Sequence, residues 1–218
     1  MSRRQSPPTS PQPRDREPSA AENIKHDLDV YGITKWGWVI YRTDYTTPGS
    51  DSSWNQLQEA IASQSAREMS KPNVPREIAD GLEWVFTSDS TTLGGLTRYD
   101  LRLRFLEWVG KQQAANTRMG VPSRYLFFVH VDEEVMRSAE TEGGLPRWVK
   151  LVRCDQRDLV CEFVSKEELE ECSEELDGDE GWMKVGVGVL GAELYSMLDG
   201  QEGWYVYYKV HPEVLEYA

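Results

Sequence analysis

WMKVGVGVLGAELYSMLDGQEGWYVYYKV, residues Trp182 to Val210, carries more structural information than any other part of the chain. It names a strand, a short helix and a second strand in succession. Gly186, Gly188 and Gly191 spell GxGxxG. In a dinucleotide-binding unit those glycines follow a strand, open a helix and let the backbone approach a pyrophosphate. Strand parity argues for something else. Val185, Val187 and Val189 alternate with Lys184, Gly186 and Gly188, and this period of two predicts a strand that continues through the glycines. The valines would face a core and the opposite face would be nearly bare. Trp204, Val206 and Tyr208 alternate with Tyr205, Tyr207 and Lys209, which predicts a final strand with aromatics on both faces. Laid beside Gly186 and Gly188, it would leave a pocket rimmed by the hydroxyls of Tyr205 and Tyr207, because glycine in a strand marks close approach of a ligand or a backbone.

Working outward, the chain of 218 residues carries a formal charge of −13, with 39% hydrophobic residues, 11% aromatics and eight Trp. That length suits a single domain whose core needs no covalent staples, with a few large side chains supplying much of the burial. Residues 1–20 hold four Arg against Asp15 and Glu17, so the remainder is more acidic than the whole. Such a body repels phosphate backbones and anionic membrane surfaces, which argues against nucleic-acid and membrane partners. Cys154, Cys161 and Cys172 have no metal-like spacing, and no disulfide framework, zinc site or cofactor is called for. The N-terminus is too polar for a secretory signal and no apolar run is long enough to cross a bilayer. A reducing, cytoplasmic setting is the expectation, with the nucleus also compatible.

Residues 1–22 read as a disordered Pro/Ser/Arg-rich tail and residues 23–218 as one domain, with an acidic segment at 167–180 that holds nine acids in fourteen residues. Counted from Glu175, the sixth position of a calcium loop falls on Glu180, where an EF-hand turn requires glycine. Ile33 to Tyr41 predicts an internal strand with apolar residues on both faces. Ser53 and Gln56 suggest a capping box opening a helix to about Met69, with Trp54, Leu57 and Ile61 on one stripe. Further strands are expected at Leu82–Thr87, Arg124–Val131, Trp148–Cys154 and Leu159–Val164, and further helices from Thr97 or Arg98 and over Asp132–Ala139. Strands and helices mix without strict alternation. The expected class is α+β: a single mixed, mostly antiparallel sheet with helices packed on it, with a ferredoxin-like variant as one form.

Chemistry is sparse. His130 and Asp132 share a strand face and could pair as base and orienter, while Asp132 serves equally well as a helix N-cap. Arg42, Asp44 and Tyr45 follow the first strand, where α+β proteins often place ligands; a surface loop held by an ion pair accounts for them equally. No metal site, serine-hydrolase pattern or catalytic cysteine can be assembled.

Four segments, WGWVIYRTDY (Trp36 to Tyr45), RLRFLEWV (Arg102 to Val109), RYLFFVHVDEEVMRSA (Arg124 to Ala139) and EGWMKVGVGVLGAELYSML with WYVYYKVHPEV (Glu180 to Val214), resemble a family of small uncharacterised intracellular proteins of filamentous fungi. The resemblance implies a stand-alone soluble domain and transfers no reaction, cofactor or catalytic residue. The leading functional expectation is a binding module that meets a protein partner or a small molecule through an aromatic, glycine-faced sheet surface. The alternative is a small metal-independent enzyme with its pocket over Gly186 and Gly188, drawing on Tyr205, Tyr207, His130 or Arg42. Nucleotide binding at Gly186 to Gly191 is the third and weakest reading.

Overall fold

The computed structural model describes residues 18–112, 122–154, 181–198 and 200–216. The strand expected at Leu159–Val164, the acidic segment 167–180, Cys161 and Cys172 lie outside the described residues.

The chain enters through helix α1 (Ala20–Tyr31), capped reciprocally by Ser19 and Glu22 and ended by Gly32 at φ 65°. This helix begins inside the stretch read as tail. Strand β1 (Val39–Arg42) follows, then α2 (Ser50–Met69), α3 (Arg76–Gly81) and β2 (Val85–Thr87). Next come α4 (Ser90–Leu93), α5 (Arg98–Gln112), β3 (Phe127–Val131), α6 (Glu133–Met136) and β4 (Trp148–Arg153). The chain closes with β5 (Trp182–Gly186), α7 (Ala192–Met197), α8 (Gly200–Tyr207) and β6 (Val214–Leu215).

One six-stranded mixed sheet runs in the order β2-β1-β3-β4-β5-β6. β1 pairs in parallel with both β2 and β3, and β5 pairs in parallel with β6. The β3–β4 and β4–β5 ladders are antiparallel. The fold is α+β with helices packed on a single mixed sheet. The ferredoxin-like form is corrected: there the first two parallel strands are split by an intervening one, whereas here β1 and β2 pair directly.

Alternation along β1 fills two cores. Trp38 and Ile40 join Phe127, Val129, Leu151 and Val185 under α1, α2 and α7, where Ile24, Trp54, Leu57, Ile61 and Leu194 are buried. Val39 and Tyr41 join Phe128 and Val152 under α5, which contributes Leu101, Phe105 and Val109. A strand buried on both faces must be apolar on both, which is why this segment carries so little polarity. α2 starts one turn earlier than the Ser53 box suggests: Gly49 is its N-cap at φ 74°, a conformation that favours glycine.

The C-terminal third departs most from expectation. The ladder ends at Gly186, opposite Trp148, and Val187–Val189 form a 3-10 turn. The valine–glycine ribbon is therefore not one strand, and no bare sheet face spans Gly186 and Gly188. The expected strand over Trp204–Lys209 is replaced by α8, which buries Trp204 against Phe127 with ring centroids 5.4 Å apart. Trp204 also meets Tyr208 one helical turn on, at 5.6 Å. Among the described residues no helix is long and apolar enough to cross a membrane.

Candidate functional site

Because β2 and β3 flank β1 on opposite sides, the chain's path reverses at β1. In open sheets of parallel strands, that reversal opens a crevice beyond the strands' carboxyl ends, where ligands are commonly held. A cavity of about 840 Å³ lies there. Its walls come from the ends of all three parallel strands: Thr43 to Thr46 after β1, Ser90 and Gly94 to Arg98 after β2, and His130 with Asp132 to Glu134 at the end of β3.

Each wall is fixed by its own bonds. The Thr43 amide donates to the Val131 carbonyl at 2.9 Å, and the Thr43 carbonyl accepts from the Gly95 amide at 3.0 Å. The Thr43 hydroxyl lies 2.8 Å from His130 Nε2, and both residues are buried. Asp44 is buried, and its Oδ1 accepts from the Thr46 amide and hydroxyl, each at 3.0 Å. Burial pushes its carboxyl up, but the hydrogen bonds from Thr46 and Thr47 outweigh that and hold it below the usual carboxylate range. Thr97 and Asp100 cap the start of α5 reciprocally, the Thr97 hydroxyl donating to Asp100 Oδ2 at 2.7 Å. Asp132 caps α6 by accepting from the Val135 amide at 3.1 Å.

A row of polar side chains crosses the sheet beside this crevice. Tyr41, His130, Lys150 and Lys184 stand opposite one another on β1, β3, β4 and β5. Adjacent lysines repel, and the carboxylates of α6 offset this. Lys150 Nζ lies 2.6 Å from Asp132 and 2.7 Å from Glu134, and Lys184 Nζ lies 2.8 Å from Glu134. Burial raises the Glu134 carboxyl, but the two lysines outweigh it and hold the group at about 2. Both ammonium groups also face tryptophans, Lys150 over Trp182 at 4.8 Å and Lys184 over Trp148 at 4.2 Å. Arg98, on the crevice wall, stacks its guanidinium over Trp182 at 4.4 Å.

Of the residues singled out from sequence, Asp44, Tyr45, His130 and Asp132 come together at this crevice, with Asp132 also filling its capping role. Arg42 turns the other way. It donates to the Asp44 carbonyl at 2.8 Å and the Ser50 hydroxyl at 3.1 Å, and it pairs with Asp51. Tyr205 is exposed on α8, with its hydroxyl accepting from Arg153 at 2.8 Å, and Tyr207 lies half-buried on the same helix. Neither rims the glycines. Thr43, Arg98 and Lys150 were not singled out from sequence, because nothing local marks them and only the strand order brings them together. Among the described residues, no group of three His, Cys, Asp or Glu side chains could hold a metal.

The glycine motif does take the order strand, bend, helix and parallel strand through β5, α7 and β6. The extended reading is corrected, but the phosphate position is occupied from within. Glu68, on the last turn of α2, accepts from the Ala192 amide at 3.0 Å at the start of α7. A Cβ on Gly191 would stand 2.6 Å from that carboxylate. The glycine thus admits an internal carboxylate to the helix end, where the dipole favours an anion. α2 also holds the bend itself, with Gln64 Nε2 donating to the Gly188 carbonyl at 2.8 Å.

The class defined by this geometry is an α+β domain with a three-strand parallel unit and an open crevice at its reversal point. No family model matches the chain, and no curated protein or solved structure matches it.

Proposed function

We propose that the protein is a binding domain for a small polar molecule, seated in the crevice at the carboxyl ends of β1, β2 and β3. The observation that carries this reading is the convergence of polar groups from three strand ends on one cavity of about 840 Å³, within the size of small-molecule sites. The walls are rigid, since Thr43, Asp44, Thr97 and Asp132 are each held by bonds of their own. A pre-organised wall reduces the ordering cost of binding.

A binding module acting through an aromatic sheet surface has less support. Both faces of β1 and β3 are covered, and the aromatics near the chain's last helix lie off the sheet: Trp204 is buried, Tyr205 is exposed beside Val206, and Tyr207 is half-buried. Catalysis in the same crevice is the second reading. It is favoured by the His130 imidazole against the Thr43 hydroxyl, a pair able to move a proton.

A thermal-shift screen of polar metabolites against the wild type and Ser90→Trp tests the proposal. Ser90 is exposed at the crevice rim, so the indole should block entry without disturbing the core. At least one hit should stabilise the wild type and lose its effect in the variant; if every hit survives the substitution, the reading is defeated. Turnover of a hit that disappears in His130→Gln while binding remains would favour the catalytic reading.

A further inference from the structure

A second cavity, of about 860 Å³, lies between α2, the loop that follows α6 and the glycine bend. Gln56, Ala60, Ser63, Gln64 and Arg67 form its α2 wall, at spacings that place them on one helix face. The facing wall is tied to α2 at both ends: Gln56 Nε2 donates to the Gly143 carbonyl at 2.5 Å and Gln64 Nε2 to the Gly188 carbonyl at 2.8 Å. Between those ties Ala60 and Ser63 are too small to fill the gap. Gly188 leaves it open from the other side, since nothing lies within 4 Å of where its Cβ would stand. The slot is therefore braced by bonds that do not cross its middle.

Its charge is opposite in sign to that of the chain. Arg67 and Arg147 line it from the two walls, both exposed, against the single carboxylate of Glu140. Among the described residues neither guanidinium has an ion pair or a side-chain hydrogen bond. By contrast Arg42, Arg124, Lys150 and Lys184 are each paired with a carboxylate. On a chain of net charge −13, two guanidinium groups in one slot with no ion pair among the described residues, against one carboxylate, give it a local preference for anions. Each guanidinium presents a planar fork of donors matched to carboxylate or phosphate oxygens.

We propose that this slot binds a small molecule bearing oxyanion groups, gripped by Arg67 and Arg147 and assisted by the Ser63 and Thr141 hydroxyls. The site is separate from the crevice and stands or falls independently of it. Occupation would supply an anionic partner to both guanidinium groups and cover Gly188.

Isothermal titration with inorganic phosphate and with citrate, at ionic strength held constant with sodium chloride, tests this. At least one probe should bind saturably. Arg67→Ala/Arg147→Ala should weaken it by about tenfold or more, the loss of a charge-assisted bond. Gly188→Val should also abolish binding by filling the slot. Arg104→Ala, an exposed charge on α5, should change nothing. Preference for one probe identifies phosphate or carboxylate as the natural group. Absence of saturable heat from both probes overturns the proposal. Undiminished binding in the double variant does so as well, as does equal weakening in Arg104→Ala, which would reduce the effect to net charge.

Discussion

Glu68 and Gly191 should behave as one device, and a double-mutant cycle exposes this. Glu68 accepts from the Ala192 amide at 3.0 Å, at a helix end with no capping side chain of its own. Glu68→Ala removes a charge-assisted hydrogen bond and the anion facing the helix dipole. Caps and charged hydrogen bonds of this kind contribute about 1–2 kcal/mol. For a chain of this size a loss of about 1.5 kcal/mol lowers Tm by roughly 3–6 °C. Gly191→Ala puts a methyl carbon 2.6 Å from the same carboxylate. The atoms in its way are the far end of a flexible side chain, which can swing aside, so its cost is capped by the loss of that same bond. Each single variant should therefore show a similar drop in urea or thermal unfolding, and the double variant should fall little further than either, with a coupling of about 1 kcal/mol. Additive losses, or Glu68→Ala melting with the wild type, would refute the internal-anion account of the glycine motif.

Other consequences follow from buried contacts. Trp204→Ala removes a fully buried ring stacked on Phe127 and should cost about 3–5 kcal/mol in chemical unfolding. Gly37→Ala forces a side chain onto a residue at φ 101°, with its Cβ 2.6 Å from the Glu83 carbonyl oxygen; the clash is with backbone, so soluble yield and Tm should both fall. Glu134 has a folded carboxyl at about 2 against an ordinary value of 4.5. Its contribution is therefore complete above about pH 4.5 and is lost as pH falls towards 2. Glu134→Gln should flatten the acid limb of a stability-against-pH curve, and an unchanged limb would count against the lysine clamp.

The long elements were legible because a single helix face or strand parity decides them. Trp54, Leu57 and Ile61 mark α2, Leu101 and Phe105 mark α5, and the two-faced apolarity of Trp38 to Tyr41 marks an internal strand. α1 carried its signal in Ser19 and Glu22, but the proline-rich residues before it masked a helix that buries only Ala21, Ile24 and Asp27. Over α8 the alternating aromatics favour extended backbone locally, and packing overrides that preference. Trp204 reaches Phe127 and Tyr208 together from a helix, and Gly203 has no side chain to strike the backbone carbonyl of Met197. In the glycine motif, composition was visible but the occupant was not, since Glu68 lies 124 residues from Ala192. The crevice is the least local feature of all. His130 and Asp132 could be named from their spacing, but Thr43 and Arg98 became neighbours of that pair only through the strand order.

A small molecule held in the crevice beyond β1, β2 and β3 must perturb the backbone amides that line it. Amide chemical-shift mapping with a saturating hit from the metabolite screen tests it most directly. Shifts should concentrate at Thr43–Thr46, Gly94–Arg98 and His130–Glu134 and be absent in Ser90→Trp. Shifts that avoid all three segments would contradict it.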